Sequence, residues 1–155
     1  MKNRSQAVGA LALGCWVWSA TACTRVPHVI TPATRGVDAV RLTALLAAHA
    51  LPPGQNISAL LIGRTDALSY YLVQIRDREQ PHVHATHDLA VTLLKGKGQL
   101  YVDGESHEMR CGDVAVVPHG TPHYFVNADS APAAAFVTFA PPYDGTDQVP
   151  TTAAP

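Results

Sequence analysis

The sequence predicts an all-β domain, a barrel or sandwich of short strands preceded by one short helix. Three observations lead there: seven short apolar runs at near-even spacing, an Asp103-Gly104 pair between two of them, and one Ala- and Leu-rich stretch closed by Pro52-Pro53-Gly54. Short strands in such number bury a core only by closing a sheet on itself or by packing two sheets together.

The elements follow in chain order. Lys2 and Arg4 precede an apolar run from Ala7 to Trp18, then the small residues Ser19, Ala20, Thr21 and Ala22, then Cys23. A positive end, an apolar middle and a small-residue exit make residues 1–22 an export signal. The uncharged stretch is interrupted by Gly9 and Gly14 and is only marginally apolar for a span of about 20 residues, so a membrane helix is the weaker reading. Residues 23–36 contain Pro and Thr without periodicity and read as a tether. Asp38 can cap a helix within residues 37–54, where Ala39 to His49 is rich in Ala and Leu.

Residues 55–140 carry the strands, predicted at 57–62, 69–75, 89–94, 99–102, 114–117, 124–126 and 134–139. Each is bounded by Gly, Pro, Asp or Asn, and Asp103-Gly104 suits a two-residue hairpin because both residues tolerate positive φ. Residues 141–155 turn to Pro, Thr, Ala and Gly and are expected to be a disordered tail. With the signal removed, nine Lys and Arg face twelve Asp and Glu, a formal charge of −3. The basic residues are scattered, which argues against nucleic acid as a partner. Cys111 stands alone before Gly112 and is assigned no chemistry.

The histidines carry the functional signal. His82-Val83-His84 alternates, so on a strand both imidazoles share one face. Further on, Gly112, Pro118, Gly120, His123 and Asn127 stand in the pattern G-x5-P-x-G-x2-H-x3-N. A strand ending at Pro118, a tight turn at Gly120 and a return strand opening with His123 bring a third imidazole towards the pair. His28, His49, His107 and His119 read as tether, helix-end, hairpin and turn residues.

This second pattern resembles the second motif of the cupin superfamily and matches it at every fixed position. The first cupin motif is matched in part: His82, His84 and Gly96 stand in place, while Arg76 replaces the opening glycine and Leu89 stands where the family has its glutamate ligand. The resemblance implies a single cupin-type β-barrel, a double-stranded β-helix or jelly roll. It implies a divalent transition metal held by His82, His84 and His123, with Fe, Zn, Mn, Ni and Cu all suited to the donors. His87 or Asp88 could replace the missing ligand: His87 by strand parity with position 89, Asp88 by the shorter form of the motif. A metal-free remnant is the alternative.

Without the glutamate, the neutral imidazoles leave a site of charge +2 that favours anionic ligands. Imidazoles coordinate only when neutral, so metal affinity is expected to fall below about pH 6 to 6.5. The function implied is that of a metal-dependent oxygenase or isomerase of a small organic substrate, or else of a non-catalytic module that captures a small molecule or metal. The family also implies a homodimer. Ala20-Thr21-Ala22-Cys23 resembles the lipobox of bacterial lipoproteins, with Ala20 where Leu is usual, and implies lipidation of Cys23. Thr24 in place of a retention aspartate then implies an anchor on the periplasmic side of the outer membrane.

Overall fold

Alternation of apolar and polar residues along short runs demands two buried sheet faces, and the computed structural model, which describes residues 27–152 except 33 and 35, supplies them. The elements are β1 (His28–Pro32), β2 (Val37–Arg41), α1 (Leu42–Ala48), β3 (Ile57–Arg64), β4 (Ser69–Ile75), β5 (His82–His84) and β6 (Asp88–Lys95). They continue as β7 (Lys97–Val102), β8 (Glu105–Arg110), β9 (Val114–Val117), β10 (His123–Asn127), β11 (Ala133–Ala140) and β12 (Gln148–Pro150). Two five-stranded antiparallel sheets form, in the orders β3-β4-β11-β6-β9 and β12-β5-β10-β7-β8. This is the all-β jelly roll with one short helix that the sequence predicts.

Between the sheets lies the main core, where Leu93, Leu100, Met109, Val117, Phe125 and Val137 are buried. Leu72 and Ala134 point the other way, and Leu42 and Leu46 of α1 cover them. The helix is therefore a lid on the outer face of one sheet. Asp103 at φ 50° and Gly104 at φ 83° form the two-residue hairpin that joins β7 to β8, with Val102 opposite Glu105.

Three segments depart from expectation. Val37–Arg41 does not begin a helix: it pairs with His28–Pro32, Asp38 lies opposite Thr31, and α1 has no side-chain cap at Arg41. Backbone pairing with the supposed tether outweighs the weak local preference for helix there. The supposed disordered tail contains β12, which pairs with β5 through Gln148–His84, Val149–Val83 and Pro150–His82. Its ladder bonds come from the edge of an existing sheet, so no apolar pattern of its own is needed. The signal segment and Cys23 lie outside the described residues.

Gly98 on β7 shows how tightly the barrel closes. A Cβ there would stand 2.3 Å from the Phe125 ring and 2.3 Å from the Val126 carbonyl oxygen. Gly98→Ala is expected to destabilise the protein by about 1–3 kcal/mol or more through overpacking. Chemical denaturation measures this, and an unchanged midpoint would contradict the packing described.

Candidate metal centre

A strand of three residues places two of the imidazoles and the start of its neighbour places the third. His82 and His84 alternate on β5 and are 3% and 5% exposed, while His123 opens β10, is 5% exposed, and lies directly opposite His82 in the ladder. Gly120, at φ 73°, makes the turn before it, and its N–H donates to the His84 carbonyl at 2.7 Å. One nitrogen from each of the three rings lies within 4.8 Å of the others. Bonds of about 2.0–2.1 Å put cis ligands roughly 3–3.5 Å apart, so modest side-chain motion lets the three share an ion.

Their outer contacts set the ring orientation. His82 Nδ1 lies 2.7 Å from the Gln80 carbonyl oxygen, and His123 Nδ1 lies 3.0 Å from that of Thr121. A carbonyl only accepts, so each Nδ1 carries the proton and each Nε2 keeps its lone pair for the shared point. Burial, then the neighbouring His82 and His123, hold His84 down at about 4. Burial likewise holds His123 at about 4, against a smaller opposing contribution from the Thr121 carbonyl. Both rings are thus neutral at ordinary pH. The donor set, its buried position and its protonation fit a divalent transition metal.

The two candidate replacements for the glutamate are not brought to this point. Asp88 is exposed, and its Oδ1 accepts from the His119 N–H at 2.8 Å and meets His119 Nδ1 at 2.7 Å, both of which hold its carboxyl below the usual range. The strand has already begun at Asp88, so parity sends its side chain away from the site. His87 is buried, but Asp147 engages its Nδ1, and it is not among the three convergent nitrogens. Leu89 is buried in the core and lines the cavity beneath the histidines.

That cavity, about 190 Å³ in volume, is walled mainly by apolar side chains such as Val91, Leu93, Phe125 and Phe139. His82, His84 and His123 reach it, and so does Glu79, which the sequence reading missed. One Glu79 oxygen accepts the Phe125 N–H at 2.9 Å. Burial pushes its carboxyl up, against smaller opposing contributions from His82 and that N–H. Glu79 lies in a charged loop between strands, and nothing in its local sequence marks it out.

The C-terminal segment also contributes. Tyr143 lines the cavity and stacks on Phe139 at 4.6 Å between ring centroids. Asp147 accepts from the Thr86 N–H at 3.1 Å; burial raises its carboxyl, but hydrogen bonds from His87 and Thr86 outweigh this and hold it at about 2.

Comparison with known proteins agrees with this architecture. A model of the cupin domain matches residues 70–139, the stretch that holds all three histidines. An uncharacterized protein of Aquifex aeolicus is 41% identical over 95 residues, covering 61% of this chain and 78% of the relative. The chain belongs to the cupin superfamily. An uncharacterized protein of Methanocaldococcus jannaschii is 28% identical over 85 residues, covering 55% of this chain and 68% of the relative. Among solved cupin-like structures, KdgF from Halomonas sp. superposes with a TM-score of 0.57 at 25% identity, over 63% of this chain and 91% of that one. Streptomyces Pac13 with uridine superposes with a TM-score of 0.55 at 16% identity, over 62% of this chain and 78% of that one, a likeness of fold.

The depressed imidazoles give the metal-free cupin barrel a pH signature. Between the unfolded value near 6.5 and the folded value near 4, the unfolded chain binds more protons at His84 and His123. Stability is therefore level above about pH 6.5, falls as pH drops towards 4, and loses Asp147's contribution only below its unfolded value of 3.8. Denaturant titrations with chelator present test this, and a stability unchanged between pH 6.5 and 4.5 would contradict it. The onset of protonation at these two imidazoles thereby lies lower than the sequence alone suggests.

Proposed function

We propose that this protein is a metal-dependent enzyme that moves protons on a small organic molecule, as an isomerase or lyase does. The observation that carries the reading is the meeting of three imidazoles and one half-buried carboxyl on the wall of a single apolar cavity. A dry cavity of about 150 Å³ admits benzene, so a space of about 190 Å³ sets the substrate at a similar scale or little above it.

His82, His84 and His123 would hold the ion, and the ion when bound would supply Lewis acidity to a carbonyl or hydroxyl oxygen. Glu79 is placed to exchange the proton. Desolvation raises its carboxyl above the usual range, the direction a general acid needs, and the Phe125 N–H fixes its orientation. The apolar wall keeps water from competing for the same proton. Pac13, which shares this fold, is a nucleoside dehydratase. The carboxyl on the cavity wall favours proton transfer over the oxygenase reading, which needs no such group.

Elemental analysis of tag-free protein is expected to find about one divalent ion per chain, lost in His84→Ala. Glu79→Gln is expected to keep the ion and lose about 10²–10⁴-fold in turnover, measured on a panel of small hydroxy and carbonyl compounds. Traces of metal that do not respond to His84→Ala would remove the metal reading. Full turnover in Glu79→Gln would remove the proton-transfer role alone.

The proposal includes an address at the cell envelope, with diacylated Cys23 anchoring the barrel on the periplasmic side of a bacterial outer membrane. The three-part composition of residues 1–22 and the segment Ala20-Thr21-Ala22-Cys23 support it. Metabolic labelling with palmitate is expected to mark the wild type and not Cys23→Ser. Equal labelling of both, or of neither, would refute the anchor.

A further inference from the structure

Among the described residues, one buried side-chain polar atom has no hydrogen-bond partner: Nδ1 of His84. Buried N–H groups and ring nitrogens are paired in nearly all folded proteins, so an orphan in a candidate ligand points to something that acts on it. The group facing it is Asp147, whose Oδ2 lies 3.8 Å away. This carboxylate is itself buried, 9% exposed, and is held by the Thr86 N–H and by His87 Nδ1.

We propose that Asp147 is the positioning residue of His84, setting its tautomer so that Nε2 is the ligand atom. This rests on the reading that His84 is a metal ligand. The physical reason is simple. A bare lone pair on Nδ1 facing an ionised carboxylate at this distance is repelled, while an N–H is attracted, so the proton goes to Nδ1 and the lone pair to Nε2. His82 and His123 receive the same instruction from the carbonyls of Gln80 and Thr121. For His84 no carbonyl does this, and the C-terminal strap supplies a carboxylate instead.

The strap is built to hold that carboxylate in place. Tyr143 N–H donates to Ser69 Oγ at 2.9 Å, Arg64 Nη1 donates to the Tyr143 carbonyl at 3.1 Å, and the Ala85 N–H donates to the Asp147 carbonyl at 3.3 Å. The next residue begins β12, whose first pair is Gln148 with His84 itself. The matched cupin domain ends at residue 139, so the strap lies outside it. Asp147 thus lies outside the matched domain that holds the three histidines.

Two measurements test the role. In metal-free, ¹⁵N-labelled protein at neutral pH, imidazole nitrogen shifts are expected to show the His84 proton on Nδ1, and a mixture of tautomers in Asp147→Ala. Titration with Co(II), followed by its visible absorption, is expected to show affinity lowered about 10–100-fold in Asp147→Ala with an altered spectrum. Asp147→Asn keeps an acceptor oxygen and is expected to recover part of that loss, which a purely structural role would not produce. A wild-type His84 with its proton on Nε2 would overturn the proposal, as would Co(II) affinities within about twofold of wild type in both variants. Should Asp147→Ala not fold, the wild-type tautomer and Asp147→Asn decide the matter. Failure of the wild type to bind Co(II) strikes instead at the metal reading, and the tautomer measurement then judges Asp147 by itself.

Discussion

The antiparallel pairing of β5 with β10, through His82 opposite His123, is the constraint on which the site depends. Residues directly opposite in a ladder have Cβ atoms about 5 Å apart, so two imidazoles are brought together by backbone hydrogen bonding alone. Alternation along β5 adds His84 on the same face, and the Gly120 N–H bond to the His84 carbonyl ties the intervening turn to that strand. Convergence therefore costs no special side-chain arrangement. It is a property of the sheet, and the short length of β5 is tolerated because β10 and β12 flank it on both sides.

The charge distribution around the site follows from Leu89. With an apolar side chain at that position, the carboxylate that the cupin motif carries there is gone. Two carboxyls stand nearby instead: Glu79 on the cavity wall, raised by burial, and Asp147 behind His84, held ionised by His87 and Thr86. An ion held there would be balanced by groups outside its coordination sphere, and positions that a ligating glutamate would fill would stay open to substrate or solvent.

Much of this was legible in the sequence, and the reasons are particular. The strands at Ser69–Ile75 and Val114–Val117 coincide with their predicted bounds because each has both an apolar run and a turn signal at its ends. The histidine pair and the Gly112 to Asn127 motif are local patterns whose spacing survives folding unchanged. By contrast, Glu105–Arg110 is a strand of almost wholly exposed polar residues, with only Met109 buried, so no periodicity announces it. The pairing of His28–Pro32 with Val37–Arg41, and of β12 with β5, depends on the partner strand rather than on the residues themselves. Glu79 was missed for a related reason: the N–H that anchors its carboxylate belongs to Phe125 on β10, forty-six residues away along the chain.

The tail deserved its bland reading on composition, and its role comes from a feature composition does not encode. Low apolar content denies a segment its own core, but it does not prevent that segment from lying along an unpaired strand edge. The edge of β5 is such a place, and β12 occupies it. Once backbone pairing fixes the register at Gln148, the residue before it must sit where β5 gives way to the Ala85-Thr86 turn, within reach of His84 and His87. A carboxylate at that point meets two imidazoles, whereas one residue earlier or later the strap's side chain would face another way. Asp147 thus acquires its partners from register, much as His123 acquires His82, and β5 gathers both by the same rule of strand pairing.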